Sequence, residues 1–171
     1  MKVFLIGPMG TGKSSTGKDL SRELGLSFQD TDKLVESSEN KSISEIFEIN
    51  NEEYFRQKEM EALIEASKLE NVVVATGGGI VEKEDNRDIL EREKNVIFLD
   101  SSIERQFEKT KNSNKRPLLN DANKIDILRK LYEKRRLFYE NTSDLKISMD
   151  GLEKSEVIKK IINFLKYNEN N

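Results

Sequence analysis

The chain has 171 residues, 36% of them Asp, Glu, Lys or Arg, with a formal net charge of −3. That length suits one α/β domain with a sizeable core, and the charge balance offers no basic footprint for nucleic acid. It contains no Cys and no His, which excludes disulfides, thiolate or imidazole catalysis and zinc sites, and leaves Asp, Glu, Lys or Tyr for proton transfer and hard cations on oxygen ligands.

In chain order, Lys2-Val3-Phe4-Leu5-Ile6 reads as a buried parallel strand and runs into Gly7-Pro8-Met9-Gly10-Thr11-Gly12-Lys13-Ser14. This is a complete G-x-x-x-x-G-K-[ST] phosphate loop, and the helical spacing of Leu20 and Leu24 supplies the helix that should follow it. Gly7, Gly10 and Gly12 let backbone N–H groups curl around an anion, and the helix N-terminus adds partial positive charge. Lys13 can reach the β- and γ-phosphates, and the Ser14 hydroxyl can ligate Mg²⁺. The six residues before Gly7 leave no room for a leader, and no apolar run would span a bilayer. The expectation is therefore a cytoplasmic protein without membrane or nucleic-acid partners; a monomer is expected too, though no residue pattern argues for it.

Further strands are expected near 26–29, 71–75, 95–99 and 144–149. Helices are expected near 13–24, 43–49, 52–69, 84–92, 102–110, 124–140 and 153–167. Alternating β and α units imply a parallel sheet covered on both faces, with ligands at the carboxyl ends of its strands. Asp30-Thr31-Asp32 follows the second strand; read as extended, it turns both carboxylates toward one volume, Asp30 for a hydrated Mg²⁺ and Asp32 as base for an acceptor hydroxyl. The alternative there is an Asx turn or a helix cap. Gly77-Gly78-Gly79 ends the third strand and allows close backbone approach to a ligand, or else serves as a turn. Residues 111–123 read as a lid carrying Arg116. Arg56, with Glu59 one turn on, and Arg135, four residues before Tyr139, are candidate clamps for a carboxylate.

Taken together these segments resemble shikimate kinases over essentially the whole length. The phosphate loop, Asp30-Thr31-Asp32, Phe55-Arg56 with Glu59, Gly77-Gly78-Gly79, Arg116-Pro117-Leu118-Leu119 and Arg135 with Tyr139 carry the resemblance. It implies a single nucleoside-monophosphate-kinase-like domain over 1–171, three α/β/α layers around a five-stranded parallel sheet, and acceptor-binding helices near 32–62. The implied reaction moves the ATP γ-phosphoryl group to the 3-hydroxyl of shikimate. Gly10, Thr11, Gly12, Lys13, Ser14 and Ser15 would then hold the nucleotide, with Lys109 and Arg116 beside it. Asp32, Arg56, Gly77, Gly78, Gly79 and Arg135 would hold shikimate, with Phe47 and Phe55 as an apolar wall. Asp32, Lys13 and Arg116 would be catalytic, and Ser14 and Asp30 would serve the metal. A related small-metabolite kinase acting on gluconate is the nearest rival. One stretch departs from the family pattern: Ile147 to Lys154 lacks the Arg and Pro that help to sandwich adenine, and Lys109 stands where an Arg would stack better.

Overall fold

Val3, Phe4, Leu5 and Ile6 in strand β1 (Lys2–Ile6) are all fully buried, so alternate side chains need a hydrophobic layer on each side of the sheet. The computed structural model, which describes residues 1–111 and 123–169, supplies both layers. After β1 come α1 (Lys13–Leu24), β2 (Ser27–Asp30), α2 (Thr31–Glu39), α3 (Ile43–Ile49) and α4 (Glu52–Ser67). Then follow β3 (Val72–Ala75), α5 (Glu84–Glu91), β4 (Val96–Asp100), α6 (Ile103–Thr110), α7 (Lys124–Thr142), β5 (Leu145–Ser148) and α8 (Lys154–Glu169).

The strands pair in parallel in the order β2-β3-β1-β4-β5. Val3, Leu5, Val73, Ile97 and Leu99 pack on Leu20 of α1 and Val157, Ile161 and Leu165 of α8. Phe4, Ile6, Val72, Val74 and Phe98 pack on Leu63 of α4, Leu90 of α5 and Tyr139 of α7. This is the expected three-layer arrangement. Gly17, inside α1, is a packing requirement: a Cβ there would stand 2.7 Å from the Phe28 ring of β2. β1 sits between β3 and β4, so the chain leaves it in opposite directions across the sheet, and the crevice at such a switch point is where ligands bind.

Every expected strand and helix is present, with ends displaced by at most two residues. One further helix, not placed by periodicity, lies in the stretch expected only as acceptor-binding helices near 32–62, and it bears out the helix-cap alternative at Asp30. Residues 31–39 form α2, so Asp30-Thr31-Asp32 is not an extended run: Asp30 is the N-cap, and Asp32 lies in the first turn. The cap explains the conversion, because Asp30 Oδ1 accepts the backbone N–H groups of Asp32 at 3.0 Å and Lys33 at 3.4 Å. Helices α2, α3 and α4 close around a small cluster of Val35, Ile46, Phe55 and Ala62. The expected lid at 111–123, with Arg116, falls almost wholly outside the described residues.

Candidate active site

The phosphate loop occupies the turn from β1 to α1, and its backbone demands glycine at the tight points. Gly10 and Gly12 have φ of 82° and 86°, in the left-handed region that a side chain disfavours. Met9 anchors the loop in an apolar cluster with Leu128, Phe107 and Ile103 of the α6–α7 flank. Thr11 Oγ1 donates to the Pro8 carbonyl at 3.0 Å. Buried Lys13 folds back over the loop, its Nζ donating to the carbonyls of Gly7 and Pro8 at 2.8 Å each.

Ser14 and Asp30, both expected to serve the metal, meet in the fold. The Ser14 hydroxyl donates to Asp30 Oδ2 at 2.5 Å, while Asp30 Oδ1 caps α2. Capping and a place beside the phosphate loop therefore coexist in one carboxylate. Two hard oxygen donors at a phosphate loop suit Mg²⁺ in kind. Ser15, the next residue, accepts a hydrogen bond from Lys154 Nζ at 3.1 Å, and Lys154 also pairs with Asp19. A cation from the start of α8 thus reaches the nucleotide side, in the stretch where the expected Arg is missing. Lys109 is exposed near the end of α6. Asn123-Lys124-Ile125-Asp126 spells the Asn-Lys-x-Asp pattern of guanine readers. Here it forms the N-cap and first turn of α7, with Asp126 paired to Arg129 at 2.9 Å.

On the other side of the crevice, the glycine run leaves β3 and turns toward α5. Gly78 packs on the phosphate loop, since a Cβ there would stand 3.3 Å from Met9 N. The Tyr139 hydroxyl donates to the Gly78 carbonyl, and Thr31 Oγ1 accepts the Gly77 N–H at 3.1 Å. A Cβ on Gly77 would lie 2.6 Å from both Asp32 Oδ1 and Glu59 Oε1. One on Gly79 would lie 2.0 Å from Arg56 Nη1. The glycines are there because carboxylates and a guanidinium press against their backbone.

Arg56 and Arg135 come from helices α4 and α7, and both are buried. Arg56 donates to Glu59 at 2.8 Å and Glu52 at 3.1 Å. Arg135 Nε donates to Glu82 Oε1 at 2.7 Å, its Nη2 pairs with the same oxygen, and Arg56 Nη2 stands 3.8 Å from it. Two buried guanidiniums therefore converge on one carboxylate. Burial works against the Arg56 charge, but Glu59, Glu82 and Glu52 outweigh it and hold the guanidinium firmly protonated. Burial pushes Glu59 up to about 7; Asp32 pushes the same way, while Arg56 and Arg135 pull it down. Two buried polar atoms of this cluster, Arg56 Nε and Glu59 Oε1, have no hydrogen-bond partner. The Phe55 ring packs on Phe47, their centroids 4.9 Å apart, and the Arg56 guanidinium lies over it at 5.4 Å.

Asp32, Arg56, Arg135 and the three glycines thus share one crevice with the phosphate loop. Glu82, Glu52 and Lys154 were not among the expected site residues. Glu82 and Glu52 carry no sequence signal beyond nearness to a motif, and Lys154 stood in the stretch noted only for what it lacks. Among the described residues no helix is long and apolar enough to cross a membrane.

A family model described as shikimate kinase matches residues 9–166. A shikimate kinase of Legionella pneumophila is 41% identical over 163 residues, covering 95% of this chain and 93% of that protein. The solved shikimate kinase of Acinetobacter baumannii in complex with shikimate superimposes with a TM-score of 0.95 at 32% identity, over 98% of this chain and 93% of that one. A gluconokinase from Sinorhizobium meliloti reaches a TM-score of 0.60 at 17% identity, a likeness of fold alone.

Proposed function

The chain belongs to the shikimate kinase family, and from that premise we propose how its residues divide the work of phosphorylating shikimate with ATP. The observation that carries the acceptor reading is the convergence of Arg56 and Arg135 on one carboxylate beside Asp32. A small hydroxylated acid fits that arrangement, because guanidinium forks bind carboxylates bidentately. It also brings an acceptor and a donor to a pocket where Arg56 Nε and Glu59 Oε1 lack partners.

In the reaction, the 3-hydroxyl oxygen of shikimate forms a bond to the γ-phosphorus of ATP. The bond from that phosphorus to its bridging oxygen breaks, and ADP leaves. The hydroxyl proton passes to Asp32. The transition state is loose, so positioning and charge stabilisation dominate. Gly10, Thr11, Gly12, Lys13, Ser14 and Ser15 hold the phosphates, and Lys13 exchanges its carbonyl partners for phosphate oxygens. Ser14 and Asp30 would hold Mg²⁺, which would supply neutralising positive charge to the phosphates. Arg56 and Arg135 fix the acceptor carboxylate, while the Gly77–Gly79 backbone lies against the ring. Arg116 closes on the phosphates from the lid, and Lys109 and Lys154 border the nucleotide. The enzyme works as a cytoplasmic monomer; the large apolar side chains exposed among the described residues, Ile49, Ile125, Leu137 and Tyr167, lie on three different helices, which supports the monomer.

Coupled ADP release with MgATP tests the reading, using shikimate, gluconate or no acceptor. Turnover that depends on shikimate is the expected result. Equal ADP release without acceptor, or a preference for gluconate, would overturn the substrate assignment.

A further inference from the structure

Glu82 stands where an incoming carboxylate must go. It belongs to the turn that begins with the glycine run, its N–H donating to the Gly79 carbonyl at 2.9 Å. Arg87 Nη1 holds the same turn from α5, donating to the carbonyls of Val81 at 2.7 Å and Glu82 at 3.0 Å. The backbone is fixed, but the carboxylate lies at the rim, with its side chain 14% exposed. Its Oε1 takes Arg135 and lies near Arg56, and its Oε2 accepts from Lys134 Nζ at 2.7 Å. Although burial opposes the charge, Lys134, Arg135 and Arg56 hold this carboxyl below its ordinary range. It is therefore an anion when an acceptor arrives.

Charge balance then decides what can happen. Arg56, Arg135 and Lys134 pair with the carboxylates of Glu52, Glu59 and Glu82, and Asp32 is a fourth acidic group near Glu59, so the cluster has no cation to spare. A further buried carboxylate would be uncompensated unless one of these yields, and uncompensated buried charge is costly. Glu59 cannot leave, being buried against Arg56. Glu52, about half exposed, pairs among the described residues with Arg56 and not with Arg135, so its departure would not free Arg135. Glu82 can leave, because Lys134 is 61% exposed and offers the displaced carboxylate a partner toward solvent.

We propose that Glu82 is the chain's own occupant of the acceptor-carboxylate position and gives up Arg135 when the acceptor binds, so that it sets acceptor affinity. This rests on the assignment of Arg56 and Arg135 to the acceptor carboxylate. Glu82 is on this view a positioning residue acting through Arg135. The resident carboxylate lowers the fraction of protein ready to bind, and apparent affinity falls by that fraction.

Calorimetric titration of shikimate and of its methyl ester into wild type and Glu82→Gln tests this. The expected result is a shikimate Kd at least about threefold tighter in the variant, since removing a competing state restores the binding-competent fraction. The uncharged ester should bind both proteins equally, and the MgATP Kd should not move. An unchanged or weaker shikimate Kd in Glu82→Gln would overturn the proposal and make Glu82 a support that orients Arg135. Equal tightening for the ester would overturn it too, as general loosening of the pocket. If the glutamine variant fails to fold, Glu82→Asp, which shortens the reach to Arg135, must shift the shikimate Kd in the same direction. Wild type that binds no shikimate would remove the acceptor assignment itself, and the proposal with it; wild type that turns over while Glu82→Gln shows no tightening removes the proposal alone.

Discussion

The two sides of the crevice are built by different means. In the function proposed above, the nucleotide side is one continuous piece of chain, residues 7–15, which offers largely backbone N–H groups set by glycine conformations and a helix terminus. The acceptor side of the same proposal is assembled from side chains on α4, α7 and the turn after β3, which hold one another by ion pairs, with Asp32 of α2 beside them. A backbone cradle tolerates many side-chain changes outside its glycines and its Lys and Ser. A cluster of buried charges does not, because each member is the other's counter-ion. Damage should therefore separate cleanly, with acceptor-side changes leaving nucleotide binding intact.

The sharpest separation comes from Asp32→Ala. A general base contributes about 10²–10⁴-fold in rate, so kcat should fall by about that factor while the MgATP Kd stays near wild type. Near-normal turnover in that variant would take Asp32 out of the chemistry.

Next is Arg56→Ala. A hydrogen bond to a charged group is worth about 1.5–3 kcal/mol, so the shikimate KM should rise about 10- to 100-fold. Arg56→Lys should fall between, keeping charge but losing the planar fork. A KM that does not move would break the division between the two sides.

Gly79→Ala probes the same contact from the backbone. Its methyl would stand 2.0 Å from Arg56 Nη1, the end of a side chain that can shift, so the protein should fold while the guanidinium is pushed aside. We expect a rise in shikimate KM of about several-fold, smaller than for loss of the guanidinium. An unaltered KM would show that Arg56 has room the structure does not suggest.

The smallest effect concerns stability. Glu59 has its carboxyl raised from 4.5 to about 7 by burial, so the folded protein binds that proton more tightly than the unfolded chain does. Across that window stability falls as pH rises, and above it the loss is complete. Glu59→Gln should remove this slope from thermal or urea unfolding measured between about pH 5 and 7. An identical slope in both proteins would assign the titration elsewhere.

Legibility followed the same divide. The phosphate loop could be read because its function lies in consecutive residues and their local backbone conformations. Asp32, Arg56 and Arg135 could be singled out, but only in combination, since a lone Arg on an amphipathic helix is ordinarily solvated. Periodicity did not place helix α2, and the extended reading of Asp30-Thr31-Asp32 gave way to its helix-cap alternative because the Asp30 side chain caps a first turn there. Glu82 gave no signal because its meaning is a contact with Arg135, 53 residues away in sequence.

What the sequence determined by itself was the succession of strands and helices along the chain apart from α2, the phosphate loop and the residue types available for chemistry, all set by local periodicity and local conformation. The tertiary structure alone decided that Glu82 bridges two arginines, that Gly77 and Gly79 are glycines to make room for carboxylates and a guanidinium, and that Lys154 reaches Ser15. The reason is physical: electrostatic and steric contacts depend on distance in space, and only the packed sheet and its helices bring these distant segments within reach of one another.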